Sequence, residues 1–271
     1  MGYSAVYLPD HFGDQVGPIA ALMAAADATA TLRVGSLVFD NDYRHPVVLA
    51  KEAATLDLLS DGRLDLGIGA GWMVSDYEQA GIPYDSAGIR IDRLAEAVTI
   101  IKTFFAGGEF SFEGKHYTIT DAPCQPRPVQ ERLPLLVGGG GEKRTLRIAA
   151  QYADEWNVWG EPALMAAKRD VLDRHCEAVG RDPASITRSA NALLFLSEDE
   201  SWVAERRSRD VGRPSIIGTP AELVDVVAAY AEAGVDELII PDFNLGRDPA
   251  RKRDTMDLFM EQVVRMVAPT V

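Results

Sequence analysis

The stretch 32–72, LRVGSLVFDNDYRHPVVLAKEAATLDLLSDGRLDLGIGAGW, decides the fold class. Residues 32–39 are a short run rich in apolar and β-branched side chains, which predicts a strand. Residues 46–59 repeat apolar side chains at helical spacing, with Pro46 in the first turn, where its missing N–H costs nothing. Ser60-Asp61-Gly62-Arg63 stops that helix, and residues 64–68 are a second apolar run. Strand, helix and strand in this order read as a βαβ unit, two parallel strands joined by a helix.

The alternation continues on both sides. A strand at 4–8 and a helix at 18–28 precede the stretch. After it, residues 73–90 read as a loop with a turn at Gly81-Ile82-Pro83, and a long helix is expected over 91–105. Residues 109–119 alternate around Glu113-Gly114 as a hairpin insertion. Strands at 134–137, 155–159, 187–196 and 237–241 are separated by helices at 142–152, 162–179 and 221–233. Segment 198–216 is polar and weakly patterned, expected as a mobile excursion, and a last helix covers 249–266. This predicts one α/β domain over 1–271, a (β/α)8 barrel of the TIM type. Only seven strands are visible, so the expected barrel lacks its first strand and helix. The edges thereby opened call for a rearranged edge or a partner segment.

Composition excludes several function classes. The 27 Lys and Arg against 41 Asp and Glu give a net charge of −14, which repels phosphate backbones, so a nucleic-acid partner is not expected. No apolar run reaches the length of a membrane span. Cys124 and Cys176 form no CxxC pattern and suit free thiols in a reducing cytoplasm. The four histidines lack metal-ligand spacing and there is no GxSxG elbow, which excludes a zinc hydrolase and a serine hydrolase of the usual kinds.

Barrel enzymes carry their chemistry at the carboxyl ends of strands. Asp10 and His11 follow the first visible strand, and a histidine there is suited to general acid or base work. Gly138, Gly139, Gly140 and Gly141 lie between a strand and a helix start. They read as a backbone cradle for phosphate, with Arg144 adding a cation. Gly69, Ala70 and Gly71 are small enough for a planar ring to approach the backbone, and Trp72 stacks on that ring or packs. The spacing is GxGxG, without a following helix, so a dinucleotide fingerprint is not met. Asn41 to His45 suggest a pocket rim, whereas His116 and His175 read as surface residues.

Tyr7-Leu8-Pro9-Asp10-His11-Phe12, His45-Pro46 through Asp57, Asp61-Gly62-Arg63-Leu64, Gly67 to Trp72, Gly218-Thr219-Pro220 and Ala233-Gly234-Val235-Asp236 occur in an order that resembles the luciferase-like monooxygenase superfamily, especially its F420-dependent branch. The resemblance implies a (β/α)8 barrel with the cofactor ring at the carboxyl face, His11 working beside the ring and Asp10 in the same site. It also implies a non-proline cis peptide behind the ring near Leu37 and Val38, and a cofactor phosphate on Gly138 to Gly141. The implied activity is hydride transfer between coenzyme F420 and a small organic substrate. Where the sugar-phosphate dehydrogenases of that branch carry Glu, this chain has Trp72, which points to a more apolar substrate. An FMN-dependent monooxygenase served by a flavin or F420 reductase, a non-catalytic cofactor binder and a sugar-phosphate aldolase or isomerase stay open as alternatives. A homodimer is expected.

Overall fold

The computed structural model of this chain describes residues 2–267. The chain opens with β1 (Ala5–Leu8), α1 (Pro18–Asp27), β2 (Arg33–Ser36), β3 (Phe39–Asp40), α2 (Pro46–Leu59) and β4 (Leu64–Gly69). It continues through α3 (Val74–Ala80), α4 (Ala87–Ala106), β5 (Glu109–Glu113), β6 (Thr118–Pro123), β7 (Leu135–Gly138), α5 (Thr145–Tyr152), β8 (Glu155–Trp159) and α6 (Pro162–Val179). β9 (Thr187–Asn191), β10 (Leu193–Leu196), α7 (Glu200–Arg207), β11 (Ser215–Gly218), α8 (Pro220–Glu232), β12 (Glu237–Ile239) and α9 (Pro249–Phe259) follow, and α9 continues through a π-helical turn (Met260–Val264) to Val267.

Seven strands pair in the order β1-β2-β4-β7-β8-β9-β12, all parallel, in a curled, incomplete barrel. Among the described residues β1 and β12 end this path. Side chains link the two ends: Ser4 Oγ donates to Glu237 Oε1 at 3.2 Å, and Tyr3 Oη donates to the Met256 carbonyl at 2.9 Å. The period-2 geometry of β4 sends Leu64, Leu66 and Ile68 one way, where they join Leu49, Leu94, Val98 and Ile101 in the core. Each fully buried side chain of this kind contributes roughly 1.5–3 kcal/mol. The alternate residues Asp65, Gly67 and Gly69 face the other way, toward the barrel interior.

Helix starts follow their sequence signals. His45 Nδ1 accepts the Val47 N–H at 3.3 Å and Pro46 begins α2. Thr219 and Glu222 form a reciprocal capping box on α8.

Four expectations are corrected. Residues 32–39 are not one strand: the Leu37–Val38 peptide is cis, as the family resemblance implied, and the chain resumes as β3, which pairs with β4. Residues 187–196 divide at Ala192 into β9 and β10, which pairs with β11 outside the main sheet. The loop expected at 73–90 contains α3, ended by Gly81 in the left-handed conformation. The excursion at 198–216 contains α7, whose cap Asp199 accepts the Ser201 and Trp202 N–H groups. In the last three cases tertiary packing sets the element and local periodicity is too short to show it. The hairpin insertion is present and runs on to Pro123.

Candidate active site

The carboxyl ends of the strands surround a cavity of about 360 Å³. Asp10, His11, Leu37, Val38, Gly69, Ala70, Gly71, Trp72, Gly138 and Gly139 all line it. Gly140, Gly141 and Arg144 do not. The Gly140 carbonyl accepts from Lys168 Nζ at 2.9 Å, while Arg144 pairs with Asp92 and donates to the Gly88 carbonyl at 3.1 Å. Thr145, the first residue of α5, is the group from that helix start that lines the cavity.

Asp10 and His11 are adjacent in sequence but have separate partners. Asp10 is buried, takes Arg44 Nη1 at 2.5 Å and Nη2 at 3.2 Å, and accepts the Asp40 N–H at 3.1 Å. It therefore ties the end of β1 to β3. His11 Nδ1 stands 2.6 Å from Asp76 Oδ2. Against an ionised carboxylate, which only accepts, the proton sits on Nδ1 and leaves Nε2 as the exchanging atom. Asp76 also accepts from Tyr43 Oη at 3.4 Å. Burial, followed by the charges of Asp40 and Asp76, pushes the Tyr43 phenol well above its ordinary range, so it stays protonated and donates. The Trp72 ring stands edge-on to His11 with centroids 5.9 Å apart and remains 59% exposed at the cavity mouth.

A second set of groups fixes the wall. Asp40 accepts the Asp42 N–H and Tyr77 Oη, both at 2.9 Å. Burial raises Asp40 to about 6, against the lowering effect of those two bonds. Arg93 bridges Asp42, at 2.7 Å, and Asp85, at 2.6 Å. Arg90 Nε donates to the Ala70 carbonyl at 3.2 Å, which holds the Gly69 to Trp72 segment in place. At the side formed by β8 and β9, Asn157 and Asn191 exchange amide hydrogen bonds at 3.3 and 3.2 Å, and both line the cavity.

The glycines serve a closer purpose than ring access. A Cβ on Gly69 would stand 2.7 Å from Val38 Cγ2, and one on Gly138 would stand 2.9 Å from Val38 Cγ1. These positions are glycine because the Val38 side chain occupies the space between β4 and β7. Gly71 has φ +74, and a Cβ there would collide with Tyr77 and Asp40.

Asp76, Tyr77, Arg90 and the asparagine pair were not singled out by sequence reasoning. Only Asn157 left a signal, as a polar residue between the apolar neighbours Trp156 and Val158 of a strand. Of the suggested rim 41–45, Tyr43 alone lines the cavity. His116 and His175 lie away from the cavity but are half-buried, and His175 Nε2 stands 2.7 Å from the Glu142 carbonyl. Cys124 and Cys176 are buried and unpaired. Among the described residues no His, Cys, Asp and Glu cluster could hold a metal, and no helix is long and apolar enough to cross a membrane.

The sequence pattern of the luciferase-like monooxygenases matches residues 1–211. The chain belongs to this family. An F420-dependent glucose-6-phosphate dehydrogenase of Microbacterium testaceum is 32% identical over 76% of this chain and 64% of its own length. Among solved structures of similar fold, the F420-dependent tetrahydromethanopterin reductase of Methanopyrus kandleri superposes with a TM-score of 0.84 at 21% identity, over 98% of this chain and 92% of that one. A monooxygenase of Streptomyces bottropensis gives 0.81 at 22% identity, over 98% and 89%. Proteins whose descriptions name both kinds of chemistry thus share the fold described here.

Proposed function

We propose that this chain is an oxidoreductase that moves hydride between coenzyme F420 and a small, rather apolar organic substrate. The observation that carries the reading is the His11–Asp76 pair at the wall of a cavity lined by apolar and aromatic side chains and by backbone of the strand ends. The residues present fit a flat ring with a phosphorylated tail. Leu37, Val38 and the Gly69 to Gly71 backbone offer flat walls, Trp72 offers an apolar lip, and Gly138, Gly139 and Thr145 lead to the amino end of α5, where anions are favoured.

When bound, the deazaflavin supplies or accepts the hydride. The chain's own residues do the rest. His11 exchanges a proton with the substrate oxygen through Nε2, Asp76 keeps the imidazole in that tautomer and orientation, and Trp72 shields the reacting face from water. Asn157 and Asn191 offer amide groups to polar atoms of the ring or substrate. The F420-dependent names of relatives support this cofactor, and Trp72, in place of an acid, supports the apolar substrate. The monooxygenase of similar fold favours a second reading, FMN with oxygen.

Titration of the purified protein with F420 and with FMN, followed by fluorescence, tests the proposal. Saturable binding of F420 in preference to FMN is expected. Preference for FMN moves the assignment to the monooxygenase, and binding of neither removes both.

A further inference from the structure

A second cavity, of about 460 Å³, shares no lining residue with the first. Its walls are β10, α7, the loop 244–246 and residues of α9. The β10 side chains and Trp202 give it an apolar side. Its charged groups are Arg206, Arg209 and Arg251, and no carboxylate lines it, in a chain whose net charge is −14.

Arg206 is already anchored. Its guanidinium carbon lies 3.8 Å from the Phe195 ring centroid, and its Nε is buried without a hydrogen-bond partner. Among the described residues neither Arg206 nor Arg251 forms an ion pair, whereas Arg209 pairs with Glu205 at the exposed surface. Asn244, in the same wall, donates from Nδ2 to the Leu194 carbonyl at 2.8 Å and so fixes the loop against β10. An uncompensated, partly desolvated guanidinium beside an apolar wall is costly unless an anion meets it.

We propose that this cavity binds a small amphiphilic anion, a carboxylate carried on an apolar chain or ring. Arg206 and Arg251 hold the carboxylate, for which a guanidinium fork has matching geometry. The apolar body lies along β10 and Trp202, in a volume typical of small-ligand sites. The cavity's charge and apolar wall are independent of the chemistry assigned to the first site.

Isothermal titration of the purified chain with decanoate and with decanol tests this. Saturable one-to-one binding of decanoate is expected, with decanol weaker by about tenfold, as loss of a charge-assisted hydrogen bond implies. Arg206→Gln weakens decanoate by about tenfold, and so does Arg251→Gln, at an exposed position where folding is not at stake. Arg213→Gln, which removes the guanidinium 4.7 Å from the Trp159 ring at the first cavity, leaves the affinity unchanged. Equal binding of the acid and the alcohol, unchanged affinity in both the Arg206 and Arg251 variants, or loss of affinity in the Arg213 variant overturns the proposal. So does self-association through this face, read as a decanoate-sensitive dimer in sedimentation.

Discussion

Two layers of the barrel interior carry carboxylates, and they treat them differently. At the carboxyl ends of the strands, Asp10 pairs with Arg44 and Asp42 with Arg93, while Asp76 accepts from His11 Nδ1. Nearer the amino ends, Asp65 pairs with Arg33, while Glu155 and Glu237 form no ion pair among the described residues. Burial pushes Glu155 up to about 8, even though Ser189 Oγ donates to it, and Glu237 is raised for the same reason. Asp40 is the exception in the upper layer: it has no cation and rises to about 6. Asp10 and Asp42 are tied to neighbouring elements by guanidinium groups, whereas Asp40, Glu155 and Glu237, buried without a cation, are raised by desolvation. Ion pairs thus predominate where loops must be held at the carboxyl ends, and buried acids without a cation predominate nearer the amino ends.

The largest expected effect lies in the upper layer. His11→Ala lowers turnover by about 10²–10⁴-fold, the usual range for loss of a general acid or base, while F420 affinity measured by titration changes little. Unchanged turnover would falsify the role of His11. In the lower layer, the native state keeps a proton on Glu155 that the unfolded chain releases at its ordinary value of 4.5. The stability from this group is present below that value and is lost as pH rises toward about 8. Glu155→Gln is therefore expected to melt higher than the parent at pH 9 and to flatten the dependence between about pH 4.5 and 8, by an amount on the order of a few kcal/mol. Identical melting slopes for the two proteins would break the contrast between the layers.

Smaller effects sharpen the contrast. Asp76→Asn keeps the shape beside His11 but loses the anion that orients it, and turnover should drop by about tenfold. Asp76→Glu should recover part of this, and a structural role alone would show instead as lowered melting. Arg144→Ala should be the mildest, because its guanidinium is engaged by Asp92 and the Gly88 carbonyl outside the cavity. F420 affinity is expected to change by less than about threefold, in line with the small worth of exposed charges. A loss of a hundredfold would return Arg144 to the phosphate site.

The barrel class, the seven parallel strands and the Asp10-His11 position are legible in the sequence because they rest on periods of 2 and 3.6 and on strand ends, all local properties. The break at Leu37–Val38 is not visible as a period, since apolar residues run straight through it. The site's second half was hidden for a different reason. Asp76 sits in a stretch whose turn residues read as a loop, and only the placing of α3 beside the loop after β1 sets its carboxylate 2.6 Å from His11. Arg144, beside a glycine run, looked like a phosphate ligand because sequence shows which residues are near a helix start but not which way they point. By itself the sequence determined the main alternation of parallel strands and helices, the net negative charge and the strand ends where chemistry gathers. Tertiary structure alone decided which acid meets which cation, because ion pairs such as Arg44–Asp10 and Arg93–Asp42 join residues 34 and 51 positions apart, and no local pattern encodes a contact that the curl of the sheet creates.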